Sequence, residues 1–214
     1  MNRVVIILCL LIAVGVLTWF FPLFHVVQRD ALRDGDEQTA FDAAEYVKLI
    51  WTEKLPPVLP DAADAALVLA ALRQDPQRAR NEFGRSVGIG RSSLFLVRGR
   101  GTIMSADNKA IGVSLDADDK EVDVSLVTGL LFGNTIRDAT GLIDGDDFPS
   151  SQEFNQISAE FNRTVETTVL PRLKTHVKVG DTIEFVGCGE VTNVPRDITP
   201  LKLTPLEWKI WQGK

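Results

Sequence analysis

Residues 93–127, SLFLVRGRGTIMSADNKAIGVSLDADDKEVDVSLV, decide how the rest of the chain is read. Leu94, Leu96 and Val97 open a strand predicted from Ser93 to Met104, and Gly99 and Gly101 around Arg100 mark a bend in it. From Ala110 to Leu115 the apolar positions alternate as Ile111, Val113 and Leu115, and after the turn Asp116-Ala117-Asp118-Asp119 they alternate again as Val122, Val124 and Leu126. A period of two repeated three times, with turn residues between, predicts a three-strand meander.

Working toward the C-terminus, residues 129–145 are irregular and rich in glycine. A helix then starts at Ser150, where Glu153 three residues on completes a capping box. Its buried stripe is Phe154, Ile157, Phe161 and Val165, and Pro171 closes it. Two strands follow, Thr182 to Val191 and Ile198 to Trp208, separated by Asn193-Val194-Pro195-Arg196-Asp197. Three strands, a helix and two more strands is the element order of an OB-fold, a small five-stranded Greek-key barrel.

Toward the N-terminus the period changes to that of helices. Phe41, Ala44, Val47, Ile50 and Trp51 recur at spacings of three and four, and Pro56-Pro57 ends that pattern. A second helix begins at Pro60-Asp61 with Ala65, Leu67, Val68, Leu69, Ala71 and Leu72 on its broad apolar face, and a short third one covers residues 76–83. Trp51 reads as a core residue of this small bundle.

Val4 to Phe21 holds no charged residue, and 18 residues at about 1.5 Å each come close to the thickness of a hydrocarbon core. Trp19, Phe20, Phe21 and Phe24 gather at the far end, where aromatic rings favour the membrane interface. The run is longer than the apolar stretch of a cleaved signal peptide, and it does not close on small residues. Cys9 follows Ile6-Ile7-Leu8, without the small residue that a lipidation motif places directly before its cysteine. The expectation is a retained transmembrane anchor over 1–27, a stalk over 28–37, a helical subdomain over 38–88 and an OB-like barrel domain over 89–214. The class is α+β, with the chain held in the cytoplasmic (inner) membrane by a single pass and its body facing the periplasm.

All 29 acidic residues but only 22 of the 23 basic ones lie beyond Phe21, which leaves the body at −7. Such a body has no general attraction for phosphate backbones, so nucleic acid is not expected as a partner. Cys9 and Cys188 are the only cysteines, one in the apolar run and one in a strand, so no intramolecular disulfide is expected.

Several clusters invite chemistry. The acidic turn from Asp116 to Asp123 has Glu121 and Val127 where a calcium loop needs glycine and a bidentate glutamate, and it reads as a solvated hairpin turn. Asp144, Asp146 and Asp147 sit before a helix, whose N-terminus favours carboxylates. Gly88-Ile89-Gly90 lacks the third glycine of a phosphate-binding fingerprint, since Ser93 stands there. No metal or cofactor site is expected. His25 and His176 belong to no recognisable nucleophile, zinc or cysteine–histidine arrangement, so catalysis is not expected either.

Arg137-Asp138 is the most informative polar pair. A planar guanidinium can hold a carboxylate or align sugar hydroxyls, with the aspartate accepting from them, or the two can form a structural ion pair. Trp208 and Trp211 offer indole faces on which a sugar ring could stack, or simple core packing. Asn134, Arg137, Asp138 and Trp208 are therefore the ligand-binding candidates.

Three groups of residues carry a resemblance. They are Phe41-Asp42 with Tyr46-Val47 and Ile50-Trp51; NTIRDA over 134–139, followed by Asp147-Phe148 and SQEFNQIS over 151–158; and Phe185-Val186-Gly187 with the stretch from Ile198 to Leu203. Together they resemble a bacterial family of predicted periplasmic lipoproteins, domain of unknown function 2291, over nearly the whole chain after the anchor. The resemblance implies a helical subdomain joined to an OB-like barrel outside the cytoplasmic membrane. It also implies an accessory role in carbohydrate import, with transporter components or a small carbohydrate as partners. It carries no catalytic residue. A structural envelope interaction module and a carbohydrate-active hydrolase are the other readings.

Overall fold

A computed structural model describes residues 41–214 apart from 87–91, 117, 119, 213 and 214. The expected anchor and stalk, and Gly88-Ile89-Gly90, lie outside the described residues. Among those described, no helix is long and apolar enough to cross a membrane.

Aspartates start the first three helices. Asp42 accepts from the Ala44 and Glu45 amides at the head of α1 (Ala43–Leu49), which runs on as a π-helical turn over Ile50–Lys54. Asp64 does the same for α2 (Ala65–Gln74), and Asp75 accepts from Arg78 N at the head of α3 (Pro76–Phe83). Each satisfies amides that the first turn leaves without a partner.

Short β1 (Ala63–Asp64) and β2 (Gly84–Arg85) add to the long strand β3 (Ser93–Ala106). β3 leads antiparallel into β4 (Ala110–Ser114), and β4 into β5 (Val124–Val127). After the helical segment come β6 (Thr182–Val191) and β7 (Leu201–Ile210). The sheet runs β3-β4-β5-β7-β6 and closes as β6 pairs antiparallel with β3 over Ser93–Thr102, while β5 and β7 pair parallel. That closed Greek-key order is the OB barrel read from the element order, and the class is mixed α+β.

Two cores flank the barrel wall. The interior is filled by Phe95, Val97, Ile103, Val113, Leu126, Phe185 and Leu203, with Val68 and Leu72 of α2 packed in the same cluster. The second core lies on the other face of β3 and β6, where Leu94 and Cys188 meet Val47, Ile50, Ile136, Ile157 and Phe161 from the helices. Trp51 packs tilted against Phe161 at 6.4 Å in this second core.

Three boundaries differ from the sequence expectation. The irregular stretch contains a short helix, α4 (Thr135–Thr140), ended by Gly141 in the left-handed conformation. The long helix does not stop at Pro171. Its first part, α5 (Ser151–Thr164), widens into a π turn over Val165–Val169, and α6 (Leu170–His176) carries the proline in its first turn. The helix is continuous through this point, with Leu170 N bonding Val165 O, and the π turn widens the spiral directly before a proline whose ring would crowd the carbonyl one turn back in a regular α-helix. The last strand begins at Leu201 rather than Ile198, since Val194–Asp197 forms a helical turn, α7, whose final bond takes the Ile198 amide to Val194 O.

Candidate functional site

The register of β3, β6 and β7 builds the site. Opposed residues of an antiparallel ladder share a face, and neighbours along each strand alternate. Arg100, Glu184 and Lys209 form one row across the three strands, and Arg98, Val186 and Glu207 form the next row on the same face. Between them runs the row Gly99, Phe185 and Trp208, with Phe185 turned into the barrel core at 2% exposure. Farther along β3 the charged face continues as Leu94 and Leu96, which the helices cover. The face therefore changes from covered and apolar to open and charged within one strand.

These rows floor a cleft of about 740 Å³. Pro56, Leu59 and Pro60 form its opposite wall, together with Asp64 at the head of α2. Fixed proline φ angles limit the backbone freedom of that wall. Its volume falls within the usual range for small-molecule sites, about 300–1,000 Å³. Gly99 is needed in the floor, because a Cβ there would lie 2.6 Å from Phe185 Cζ and 3.3 Å from Ala65 Cβ.

The charges are arranged unevenly. Lys209 Nζ pairs with Glu184 Oε2 at 2.7 Å, while the Arg100 guanidinium lies 4.7 Å from the centre of the Trp211 ring. Asp64 accepts two amides of α2 on one oxygen, Oδ1. Arg98 and Glu207 have no ion-pair or hydrogen-bonded side-chain partner among the described residues, and both are exposed. The cleft thus offers the unpaired Arg98 guanidinium, the unpaired Glu207 carboxylate and the Trp208 indole in its lining, a set that suits hydroxyl-rich ligands.

Of the four sequence candidates, Trp208 lines this cleft, and its ring stands 6.2 Å from that of His176. The other three lie on or before α4, outside the cleft lining. Asn134 is exposed and makes no side-chain cap, although its carbonyl accepts from Asp138 N at 2.9 Å. Arg137 is buried at 3% exposure and grips Asp138 with two bonds, Nε to Oδ1 at 2.6 Å and Nη2 to Oδ2 at 3.1 Å. Its Nη1 donates to Phe154 O at 3.0 Å, and its Cζ lies 3.5 Å from the Phe154 ring centre. All three arms of the guanidinium are engaged within the protein.

Arg98, Arg100, Glu184, Glu207 and Lys209 were not singled out from the sequence. The signal is present, since leucines at 94 and 96 give way to arginines at 98 and 100 with the same parity, but only the strand register reveals its partners. The acidic segments are used locally. Asp144 accepts from Asp146 N, and Asp123 accepts from Leu115 N and pairs with Arg73 at 3.6 Å. No group of three His, Cys, Asp or Glu residues that could hold a metal ion occurs among the described residues.

Comparisons with known proteins agree with this architecture. A family model described as a predicted periplasmic lipoprotein (DUF2291) matches residues 6–208. No curated protein matches the chain. Among solved structures, an OB-fold protein from Thermotoga maritima is 28% identical, with a TM-score of 0.70 over 80% of this chain and 99% of that one.

Proposed function

We infer the role of this chain from its family, for it belongs to the predicted periplasmic lipoproteins of domain of unknown function 2291. We propose a membrane-tethered binding protein that faces the periplasm, takes a small carbohydrate-like ligand in the cleft and serves an uptake transporter as an accessory. The tether in this reading is the apolar run from Val4 to Phe21, kept as a single transmembrane helix.

The observation that carries the ligand reading is the cleft itself, with unpaired Arg98 and Glu207 in its floor beside a proline wall. Sugar hydroxyls both donate and accept, so a guanidinium and a carboxylate on one face can each satisfy several of them. Trp208 brings an indole into the cleft lining, and Trp211, 42% exposed, stands against Arg100 of the floor. Glu184 is engaged by Lys209 and Asp64 caps α2, so these two carboxylates of the lining already have structural partners. Binding without turnover is the reading these residues support.

Titration of the detergent-extracted full-length protein with a panel of neutral monosaccharides and uronic acids tests the proposal. A saturable change in tryptophan emission and a rise in Tm are expected for at least one sugar. Silence across the panel removes the ligand reading. Failure to recover any transporter component after mild extraction removes the accessory role.

A further inference from the structure

The segment between β5 and α4, residues 129–133, turns two large apolar side chains into solvent. Leu130 is 76% exposed and Phe132 is 81% exposed, while Leu131 between them is buried at 9% in the second core. This out-in-out pattern is braced from both sides. Glu166, on the π turn after α5, accepts from Leu131 N at 2.7 Å, and Asn162 Nδ2 donates to Gly133 O at 3.0 Å. Gly133 takes φ +82°, which lets the chain reverse directly after Phe132. On the near side, the amides of Thr128 and Gly129 both donate to Lys109 O, at 2.8 and 3.2 Å, joining the loop to the β3–β4 hairpin tip. A loop fixed by four hydrogen bonds with two apolar residues outward is a presented tip.

We propose that this tip enters the lipid surface of the membrane to which the chain is tethered, a step that rests on the tethered reading above. Three observations favour a bilayer over a protein. Two side chains expose roughly 300 Å², well short of the ~800 Å² per partner that a specific protein interface buries. A bilayer needs no matched surface, and a Leu and a Phe reach the headgroup–acyl boundary that such residues favour. The exposed Lys109 beside the tip can keep its charge at headgroup level while its stem lies against lipid. The chain outside the described body supplies the means of approach. From the end of the apolar run to Phe41 there are 19 residues, a reach of at most about 65 Å, which bounds how far a tethered body can travel from the membrane. Because the body is acidic, the contact is apolar in origin and does not depend on anionic lipid.

The experiment uses the full-length chain with Cys9→Ala and Phe132→Cys, labelled with an environment-sensitive fluorophore and reconstituted into phosphatidylcholine vesicles with or without brominated acyl chains. Cys188 is buried and does not compete for label. A blue-shifted emission that brominated lipid lowers about twofold is expected for a group buried ~5–10 Å below the surface. A label at Leu67, an exposed leucine of α2, should stay unquenched. Vesicle-bound protein with a wet label at 132 overturns the inference and leaves the tether intact. A label that is shielded but not quenched points to a second copy or another protein on the tip, and also overturns it. Equal quenching at 67 and 132 shows unspecific immersion and has the same consequence. Protein that fails to float with the vesicles overturns both the tether and the tip.

Discussion

The Arg137 guanidinium lies 3.5 Å from the centre of the Phe154 ring while one of its nitrogens bonds the Phe154 carbonyl at 3.0 Å. One residue of α4 thus holds both the side chain and the backbone of one residue in the first turn of α5. Asp138 completes the arrangement, at 11% side-chain exposure. Truncating Arg137 would leave that carboxylate without its partner in a nearly dry site. Arg137→Ala is expected to cost about 3–5 kcal/mol of stability, measured by denaturant unfolding. The double change Arg137→Met with Asp138→Leu removes both charges together and should recover most of that loss. If Arg137 instead served a ligand, the double variant would stay folded and lose sugar binding, so binding to the refolded variant separates the two roles.

Gly101 of β3 packs tightly against the end of β4. A Cβ there would overlap the Ser114 carbonyl and sit 2.8 Å from Val113 Cγ1. The obstacle is backbone, which cannot rotate away as a side-chain tip can. Gly101→Ala is expected to destabilise by at least the ~1–3 kcal/mol typical of overpacking, and a thermal melt followed by circular dichroism would show it. A wild-type melting curve would mean that β3 and β4 can part enough at this point to admit the methyl group.

The barrel was legible because its signal is local. Each strand of the meander alternates on its own, the capping residue Ser150 bonds Glu153 N as its spacing requires, and turns separate the elements at the right lengths. Pro171 is a misleading stop signal for the Ser150 helix, because the π turn over Val165–Val169 widens the spiral before the proline, a feature with no local sequence mark. The site was less legible for a different reason. Arg137 and Asp138 are adjacent in sequence and advertise themselves, whereas the cleft draws charged residues from three strands, with Arg98 and Glu207 far apart in sequence. Nothing local in Arg98 points to Glu207. Only barrel closure, β6 against β3 and β7 against β6, puts them on one face.

Arg98 follows from that geometry as the variant that best separates binding from folding. It is exposed and holds no ion pair among the described residues, so Arg98→Ala should change Tm by no more than about 0.5 kcal/mol of stability allows. Loss of a charged hydrogen bond to a ligand should weaken sugar affinity roughly 10–100-fold, the equivalent of about 1.5–3 kcal/mol. Unchanged affinity for a sugar that binds the wild type would place the ligand elsewhere.

Cys188 gives a probe of opening. It is 1% exposed in the second core, and burial pushes its thiol far above the ordinary range. The thiolate is the reactive form, so a disulfide reagent at neutral pH should modify this position only when β6 leaves the helical layer. In the Cys9→Ala background, labelling should track global unfolding in denaturant. Rapid labelling of the folded protein would mean that the layer over β6 opens on its own.

The connection between β6 and β7 depends on one carboxylate. Asp197 accepts from the amides of Thr192 and Asn193 at 2.9 and 2.7 Å, and from Arg196 Nε at 2.7 Å. The Arg196 hydrogen bond, with help from those amides, holds the Asp197 carboxyl down at about 2, against an ordinary 3.8. A folded value below the unfolded one means that the ionised form stabilises the fold. That contribution is complete above about pH 4 and fades as pH falls through about 2. Asp197→Asn should therefore melt below the wild type at neutral pH, with the gap between them closing across that acid window. A gap that stays constant down to the acid limit would show that the asparagine disturbs the loop through shape, and that the charge of Asp197 contributes nothing.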